Sequence, residues 1–418
     1  MEGIGYLRAM IAAPPATAWP RVLLLCAAGV VAAFQIGKAP AALPTLRAEL
    51  GLDLVTAGWV ISIFNVLGLV LGMAVGGLAE RLGHRRLAIL GLATIALASL
   101  AGAAAPGATV LLASRALEGI GFVAVVVAIP TLIVRAVASA DLKLALGLWS
   151  AYMPAGTSAM MVVAAFALSA LGWRGLWLLN AALAACFALA LARATSGAPI
   201  PPAAPGNFRA DLRATLAAPG PRLLALVFGT YALQFLAVFG FLPTMLVERG
   251  VGAGAAALLG AAAIAINVPG NLLGGFLLHR GARRWALIAG VNAAMAVFAL
   301  AIYADFLPLW ARYGACLALS LVGGIIPAAV FGATPALAPS PRHIATTNGL
   351  VMQGSQLGQT IGPPAVAALA QGLGSWSWSP AVLGVAAALG AALALALRRL
   401  EAREIRPGPS RRGRSRGA

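Results

Sequence analysis

The chain has 418 residues, of which 61% are hydrophobic and only 10% charged, and its formal net charge is +18. Its mean hydropathy of +0.94 is far above that of soluble globular proteins, which excludes a chain folded with water as its main solvent. In a soluble protein so large a basic excess would indicate nucleic acid as a partner, but the positions of the basic residues decide against that interpretation.

Apolar runs long enough to cross a bilayer, about 20 residues each, follow one another along the sequence. They predict an all-α membrane protein with twelve transmembrane helices. Prolines inside several runs predict kinks, because proline lacks the backbone N–H and clashes with the preceding turn. No separate short apolar core with a cleavage site precedes the first run, so we expect no cleaved signal peptide. In chain order the runs are 21–44, 53–79, 86–105, 108–138, 142–171, 173–193, 222–247, 253–278, 284–304, 308–338, 342–371 and 376–399.

The basic residues are distributed unequally between the two sides of this arrangement. One side carries 23 lysines and arginines, whereas the other carries only Arg47, Arg174, Arg249 and Arg312. Because basic loops stay in the cytoplasm, this asymmetry predicts an inner-membrane protein with both termini cytoplasmic. The high net charge follows from topology, and we expect no nucleic-acid partner.

Short motifs recur at a nearly constant offset, which predicts two related six-helix halves with a solute site between them. The expected organisation is a first bundle over 1–193, a cytoplasmic linker over 194–221, a second bundle over 222–399 and a basic tail over 400–418. The recurring pairs are Leu43-Pro44-Thr45 with Leu242-Pro243-Thr244 at an offset of 199, Gly83 with Gly281 at 198, and Gly147-Leu148 with Gly349-Leu350 at 202.

Three charged residues, Lys38, Arg115 and Glu118, lie inside the predicted helices. Each charge costs at least about 2.5–3.5 kcal/mol at the centre of a membrane helix, so such residues usually serve a pathway or a partner. In the first hypothesis, Lys38 and Arg115 bind an anionic group while Glu118 takes up a proton and couples it to movement. In the alternative, the three residues form a structural network that only holds helices together.

Several uncharged polar residues in the same helices are candidates to complete a solute site. A glutamine or asparagine in a membrane helix serves as readily to join helices as to contact a ligand. Taken together, a few polar groups in an apolar wall are typical of a small-solute pocket rather than a wide aqueous pore. The substrate-binding candidates besides Lys38 and Arg115 are Gln35, Asn65, Tyr152, Gln234, Asn267, Gln353 and Gln356.

The loop Gly76-Gly77-Leu78-Ala79-Glu80-Arg81-Leu82-Gly83-His84-Arg85-Arg86 resembles the signature loop of the major facilitator superfamily, with Glu80 and His84 replacing the usual Asp and Arg. Arg115 followed by Gly119 and Gly121 resembles that family's fourth-helix motif. The resemblance implies the major facilitator fold of two pseudo-symmetric six-helix bundles. It also implies a conformational latch that opens when the halves rock, formed by Gly76, Glu80, Arg81, Gly83, Arg85 and Arg86.

The stretch from Gly147 to Gly156 is similar to the cyanate-permease-like branch, which implies small anions or neutral polar solutes. We therefore predict a monomeric secondary transporter of a small polar or anionic solute that works by alternating access, with proton coupling left open. The alternative is proton-coupled efflux of amphipathic drugs or metabolites. Many drug/proton antiporters of the family have a Gly-Pro pair in the fifth helix, whereas here Met153 precedes Pro154.

Enzyme activity, a cofactor and a bound metal are not expected. The three histidines, His84, His279 and His343, lie far apart in predicted loops without metal-ligand spacing. The three cysteines, Cys26, Cys186 and Cys316, each fall inside an apolar run, which is typical of small packing residues.

Overall fold

A computed structural model of the protein describes residues 16–194 and 208–404, and helices make up most of both ranges. Three single-turn 3₁₀ helices, Ser139–Asp141, Pro341–His343 and Trp376–Trp378, lie between longer elements. The expected all-α architecture is confirmed. The α-helices are α1 (Trp19–Leu50), α2 (Leu54–Leu82), α3 (His84–Ala103), α4 (Ala108–Ala136), α5 (Leu142–Ser150), α6 (Tyr152–Ala194), α7 (Phe208–Ala217), α8 (Pro219–Val247), α9 (Ala253–Ala265), α10 (Asn267–His279), α11 (Arg284–Tyr303), α12 (Leu309–Gly323), α13 (Ile325–Phe331), α14 (Thr334–Leu337), α15 (Ile344–Leu373) and α16 (Ser379–Glu404).

These helices account for all twelve predicted spans. Within the described ranges, nine helical stretches are long and apolar enough to cross a membrane. One of them, Leu144–Ala194, contains two spans joined at Gly172, where the backbone leaves the helical region at φ 64° and ψ −178°. A shorter apolar stretch, Leu54–Val70 in α2, and the more polar α15 complete the set.

Three of the spans are interrupted shortly before an internal proline, and the cause is the same at each of these sites. A proline cannot donate a backbone hydrogen bond, and its ring clashes with the carbonyl one turn earlier, so the helix breaks just before it. The predicted kinks are thus confirmed at three sites. The breaks lie at Ala151, Ile266 and Gly324, each three residues before Pro154, Pro269 and Pro327 respectively.

The internal repeat is visible in the backbone conformation. Every glycine with positive φ in the described ranges belongs to a pair, with one member in each half, and the pairs follow the offsets of the sequence repeat. Each pair lies at a turn between two spans, where a residue without Cβ adopts the left-handed conformation most easily. The pairs are Gly51 with Gly250, Gly83 with Gly281, and Gly172 with Gly374.

The two halves, α1–α6 and α8–α16, meet along three helix pairs: α2 with α15, α6 with α9, and α1 with α8. We call the end of the bundle where α1 begins and α16 ends the terminal face, and the other end the opposite face. Apolar residues of both halves share one buried core, whereas the inner residues of the first half near the terminal face form a separate cluster. The halves are therefore joined most extensively toward the opposite face, whose connections are 51–53, 104–107, 248–252, 304–308 and 374–378.

In the second half, α15 packs closely against α8 along a ridge of glycines four residues apart. A Cβ atom added at Gly354, Gly358 or Gly362 would overlap a backbone carbonyl of α8, which is why no larger residue fits there. The other side of α15 faces the first half, where Gly58 of α2 approaches the backbone of Pro363. Helix α15 thus joins the second half internally and also lines the contact between halves.

Candidate functional site

The three charged residues singled out from the sequence lie together inside the first half. Lys38 of α1 and Arg115 and Glu118 of α4 are completely or almost completely buried. The Lys38 Nζ atom lies 2.6 Å from Glu118 Oε1, and Arg115 Nη1 lies 2.5 Å from Glu118 Oε2. One carboxylate therefore bridges two cations, and the cluster carries one excess positive charge.

Neighbouring helices supply the remaining hydrogen bonds of this cluster. Ser99 of α3 accepts a hydrogen bond from Lys38 Nζ at 3.0 Å and lies 2.7 Å from Glu118 Oε1, to which it donates. The Nε atom of Arg115 donates to the carbonyl of Val60 in α2 at 3.1 Å. Because a buried charge costs several kcal/mol unless partners satisfy it, these contacts explain how the charges are tolerated.

Aromatic rings and amides enclose the cluster on the side of α6. The ammonium of Lys38 lies 4.5 Å from the centre of the Trp177 ring, a favourable cation–π geometry. Next to it, Gln35 Nε2 donates to Asn180 Oδ1 at 3.2 Å. Lys38 therefore points toward α3, α4 and α6 of its own half, and its described polar contacts are all made there.

In the second half Gln35 has an amide as its repeat partner, whereas Lys38 corresponds to Ala237. Gln234 of α8, the repeat partner of Gln35, donates to the Oδ1 atom of Asn292 in α11 at 3.3 Å and to the carbonyl of Thr230 at 3.1 Å. Asn267 of α10 donates to the hydroxyl of Tyr231 at 3.1 Å and also to a backbone carbonyl of α12. The structure therefore does not bring Gln234 or Asn267 to the charged cluster.

Two of the other candidates lie at the contact between the halves, and two lie within the first half. Gln353 of α15 donates across it to the carbonyl of Leu69 at 3.3 Å, while Gln356 is buried beside Gly68 of α2. Tyr152 stacks on Trp149 within the first half, and Asn65 is buried in α2.

Aromatic side chains form a row in each half, and these rows were not predicted from the sequence. In the first half the row runs through α2, α4, α5 and α6, with ring-centre distances of 5.2, 6.4 and 4.3 Å. In the second half it follows α8, where aromatic residues recur every three or four positions and therefore share one helix face. That spacing was the available signal. The rows are Phe64, Phe122, Tyr152 and Trp149, and Phe228, Tyr231, Phe235 and Phe239.

The signature loop between α2 and α3 is described only in part. Gly83 has φ 82° and Arg86 is exposed, whereas Arg85 donates to the carbonyl of Ala192 in α6 at 2.8 Å. The surroundings of Gly76 and the side chains of Glu80 and Arg81 lie outside what the structure describes, so the predicted latch stays a prediction.

Comparisons with known proteins bear on the family. The family model of the Major Facilitator Superfamily matches residues 25–352. The multidrug efflux pump LfrA of Mycolicibacterium smegmatis is 29% identical over 167 residues, which cover 39% of this chain and 33% of that protein. The cephamycin export protein CmcT of Amycolatopsis lactamdurans is 28% identical over 213 residues, which cover 50% of this chain and 43% of that protein. The alignments thus span less than half the length of these relatives.

Solved structures support the same fold. A bacterial homologue of the human lysosomal transporter Spinster, in its inward-facing and occupied conformation, superimposes with a TM-score of 0.78 at 16% identity, covering 93% of this chain and 98% of that one. The unoccupied conformation gives a TM-score of 0.74 at 17% identity, covering 91% and 95%. The major facilitator fold predicted from the sequence is confirmed, while the cyanate-permease-like branch stays a prediction. The chain belongs to the Major Facilitator Superfamily and is a multi-pass membrane protein.

Proposed function

We propose that this transporter exports an amphipathic organic solute by alternating access, with the solute held between the aromatic rows of the two halves. The observation that carries the proposal is the pairing of Lys38 and Arg115 with Glu118 inside the first half. The cations that a small anion would need are already neutralised, except for one charge, by a carboxylate of the same half.

The geometry favours the structural alternative for this cluster over the anion site. Both oxygens of Glu118 are occupied, and Lys38 faces α3 and α6 rather than the second half. An anion could reach these cations only by displacing Glu118, which would leave a buried carboxylate without its partners. Lys38 and Arg115 are therefore poorly placed to bind a substrate anion, which favours an amphipathic over an anionic solute.

The aromatic rows supply the type of wall that such a solute needs. Aromatic rings offer a large apolar area at low cost in side-chain entropy, and they tolerate ligands of varied shape. Helices α2, α6 and α8 carry half of the first row and all of the second, and the halves contact each other through these helices. The hydroxyl of Tyr231, held by Asn267, provides a polar group within the apolar wall.

The relatives also favour export, since the names of LfrA and CmcT describe an efflux pump and an export protein.

We further propose an inner-membrane location with both termini in the cytoplasm, which rests on the distribution of basic residues. The boundaries of the two bundles, the linker and the tail stay as predicted. Proton coupling through Glu118 also stays a prediction, tested by comparing transport with and without a pH gradient.

Export is tested in inverted membrane vesicles with a fluorescent aromatic dye, beside a small organic anion such as benzoate. We expect saturable dye uptake that falls by about tenfold in Tyr152→Ala and Tyr231→Ala, on the scale of losing one large aromatic contact. Phe166→Ala is the matched control, because Phe166 of α6 is 67% exposed on the outer surface. Lys38→Met should keep dye transport. Anion uptake that depends on Lys38, without dye uptake, would return the assignment to an anion carrier.

A further inference from the structure

At the opposite face, each half contains a hydrogen bond from a tryptophan to a glutamate, and we call this pair the staple. In the first half, Glu49 Oε2 accepts a hydrogen bond from the indole of Trp173 at 2.7 Å. In the second half, Glu248 Oε2 accepts one from the indole of Trp376 at 2.8 Å. The glutamates are 199 positions apart, which is an offset of the repeat, and the tryptophans are 203 apart, one more than the offset of 202 between Gly172 and Gly374. The staple is therefore a feature of the repeated unit.

An arginine also contacts the glutamate of each staple. In the first half this arginine belongs to the same half, whereas in the second half it comes from the other half. Arg174 Nη1 lies 3.0 Å from Glu49, and the Arg174 guanidinium stacks on Trp173, so this pair joins α1 to α6 within one half. The residue after Trp376 is Ser377, which has no positive charge and instead donates a hydrogen bond to Asp305. Glu248 takes its arginine from the other half, since Arg47 Nη1 lies 2.8 Å from Glu248 Oε1.

A second contact crosses between the halves at the same face. The first backbone N–H groups of a helix have no partner within the helix and need an acceptor. At the start of α2, the N–H groups of Leu54 and Val55 donate to the side-chain oxygen of Gln371 from α15, at 3.0 and 3.2 Å. The amide of Gln371 also donates to Asp53 at 3.4 Å. A residue of the second half thus caps a helix of the first.

We propose that a second latch, distinct from the signature loop, holds the opposite face closed; it is formed by Arg47, Glu248, Trp376 and Gln371. The staple of Glu49, Trp173 and Arg174 stays closed throughout transport. This inference rests on the alternating-access part of the proposed function and is independent of the solute. Each latch contact is exposed at least in part, so water can replace it when the halves separate. In the second half Ser377 supplies no positive charge, so Glu248 takes its arginine from the other half, and this is the contact that opens.

The latch is tested by measuring the separation of the halves without any solute. Spin labels are placed at Thr109→Cys and Phe306→Cys, two exposed positions at the opposite face, in a chain whose three native cysteines are replaced by alanine. In Glu248→Gln we expect the population with the longer label distance to rise about two- to fivefold, the range for one exposed ion pair. The matched control Glu49→Gln breaks the equivalent staple within the first half and should leave the distance distribution unchanged.

Exchanging the charges, with Arg47→Glu and Glu248→Arg together, should return most of the population to the short distance. The latch is overturned if Glu49→Gln separates the labels as much as Glu248→Gln does, or if neither variant changes the distances. Because this readout needs no transport, it is distinct from failure of the proposed export, which would appear as absent dye uptake with an intact response of the distances.

Discussion

The two halves share a scaffold, but the polar side chains at corresponding positions of α1 and α8 have different partners. In the first half Gln35 lies beside three charged residues, whereas its repeat partner Gln234 contacts only the neutral Asn292 and a backbone carbonyl. Both arrangements hold α1 or α8 to the helices behind them. The comparison teaches that the fold accommodates neutral amides at this depth without any charge, so the charged cluster is a specialisation of one half.

The largest expected effect comes from removing the anion of this cluster. Glu118→Gln leaves Lys38 and Arg115 buried without a counter-charge, and we expect a loss of about 3–5 kcal/mol in the free energy of unfolding. Lys38→Met leaves a neutral pair of Arg115 with Glu118 and should cost much less. Thermal unfolding in detergent compares the two variants. A Lys38→Met protein less stable than Glu118→Gln would contradict the structural role.

A smaller effect is expected where each half brings its second and fourth spans together through a glycine. A Cβ at Gly119 of α4 would overlap the carbonyl of Phe64 in α2, and one at Gly270 of α10 would overlap the carbonyl of Leu321 in α12. We expect Gly119→Ala and Gly270→Ala each to cost about 1–3 kcal/mol, because backbones must shift apart. Thermal unfolding should show similar losses for both.

The control for these glycines is Gly290→Ala in α11, where no atom lies within 4 Å of the added Cβ. Alanine favours the helix there by up to about 1 kcal/mol, so this variant should unfold at the same temperature or higher. An equal loss at Gly290 would show that helix approach is not the cause.

The smallest effect concerns pH at the opposite face. A hydrogen bond from Ser377, followed by the contact with Arg249, lowers the pKa of Asp305 below its ordinary value of about 3.9. A carboxylate with a lowered folded-state pKa contributes stability above its unfolded pKa and loses it as pH falls through the folded value. The melting temperature should therefore fall below about pH 4, with Asp305→Asn removing at most about 2 °C of that decrease. An unchanged pH profile in Asp305→Asn would exclude this contribution.

The sequence was sufficient for the spans and the repeat, because bilayer thickness is a local constraint. It did not show which prolines interrupt a helix, since Pro40, Pro130 and Pro243 lie inside continuous helices. It also placed Arg115 and Glu118 on one helix face through their spacing of three residues. It did not predict that Lys38 turns toward Ser99 and Trp177. In a membrane protein the lipid is as apolar as the interior, so hydrophobic patterning says little about how each helix is rotated.

The partners across the halves were also beyond the sequence. Gln371 was not among the candidate residues, because its role depends on where the start of α2 lies in space. The aromatic rows follow a helical spacing along α8, yet such spacing is equally typical of residues that only pack.

The glycine ridge of α15 has a mechanical consequence. With Gly354, Gly358 and Gly362 pressed against the carbonyls of α8, these two helices have no freedom to slide past one another, so they must tilt as one unit. The contact of Pro363 with Gly58 lies on the far side of that unit. Helix α15 is therefore fixed to α8 in the second half and packs against α2 of the first. A bulky side chain on the glycine ridge would displace α15 and so also disturb its contact with Gly58.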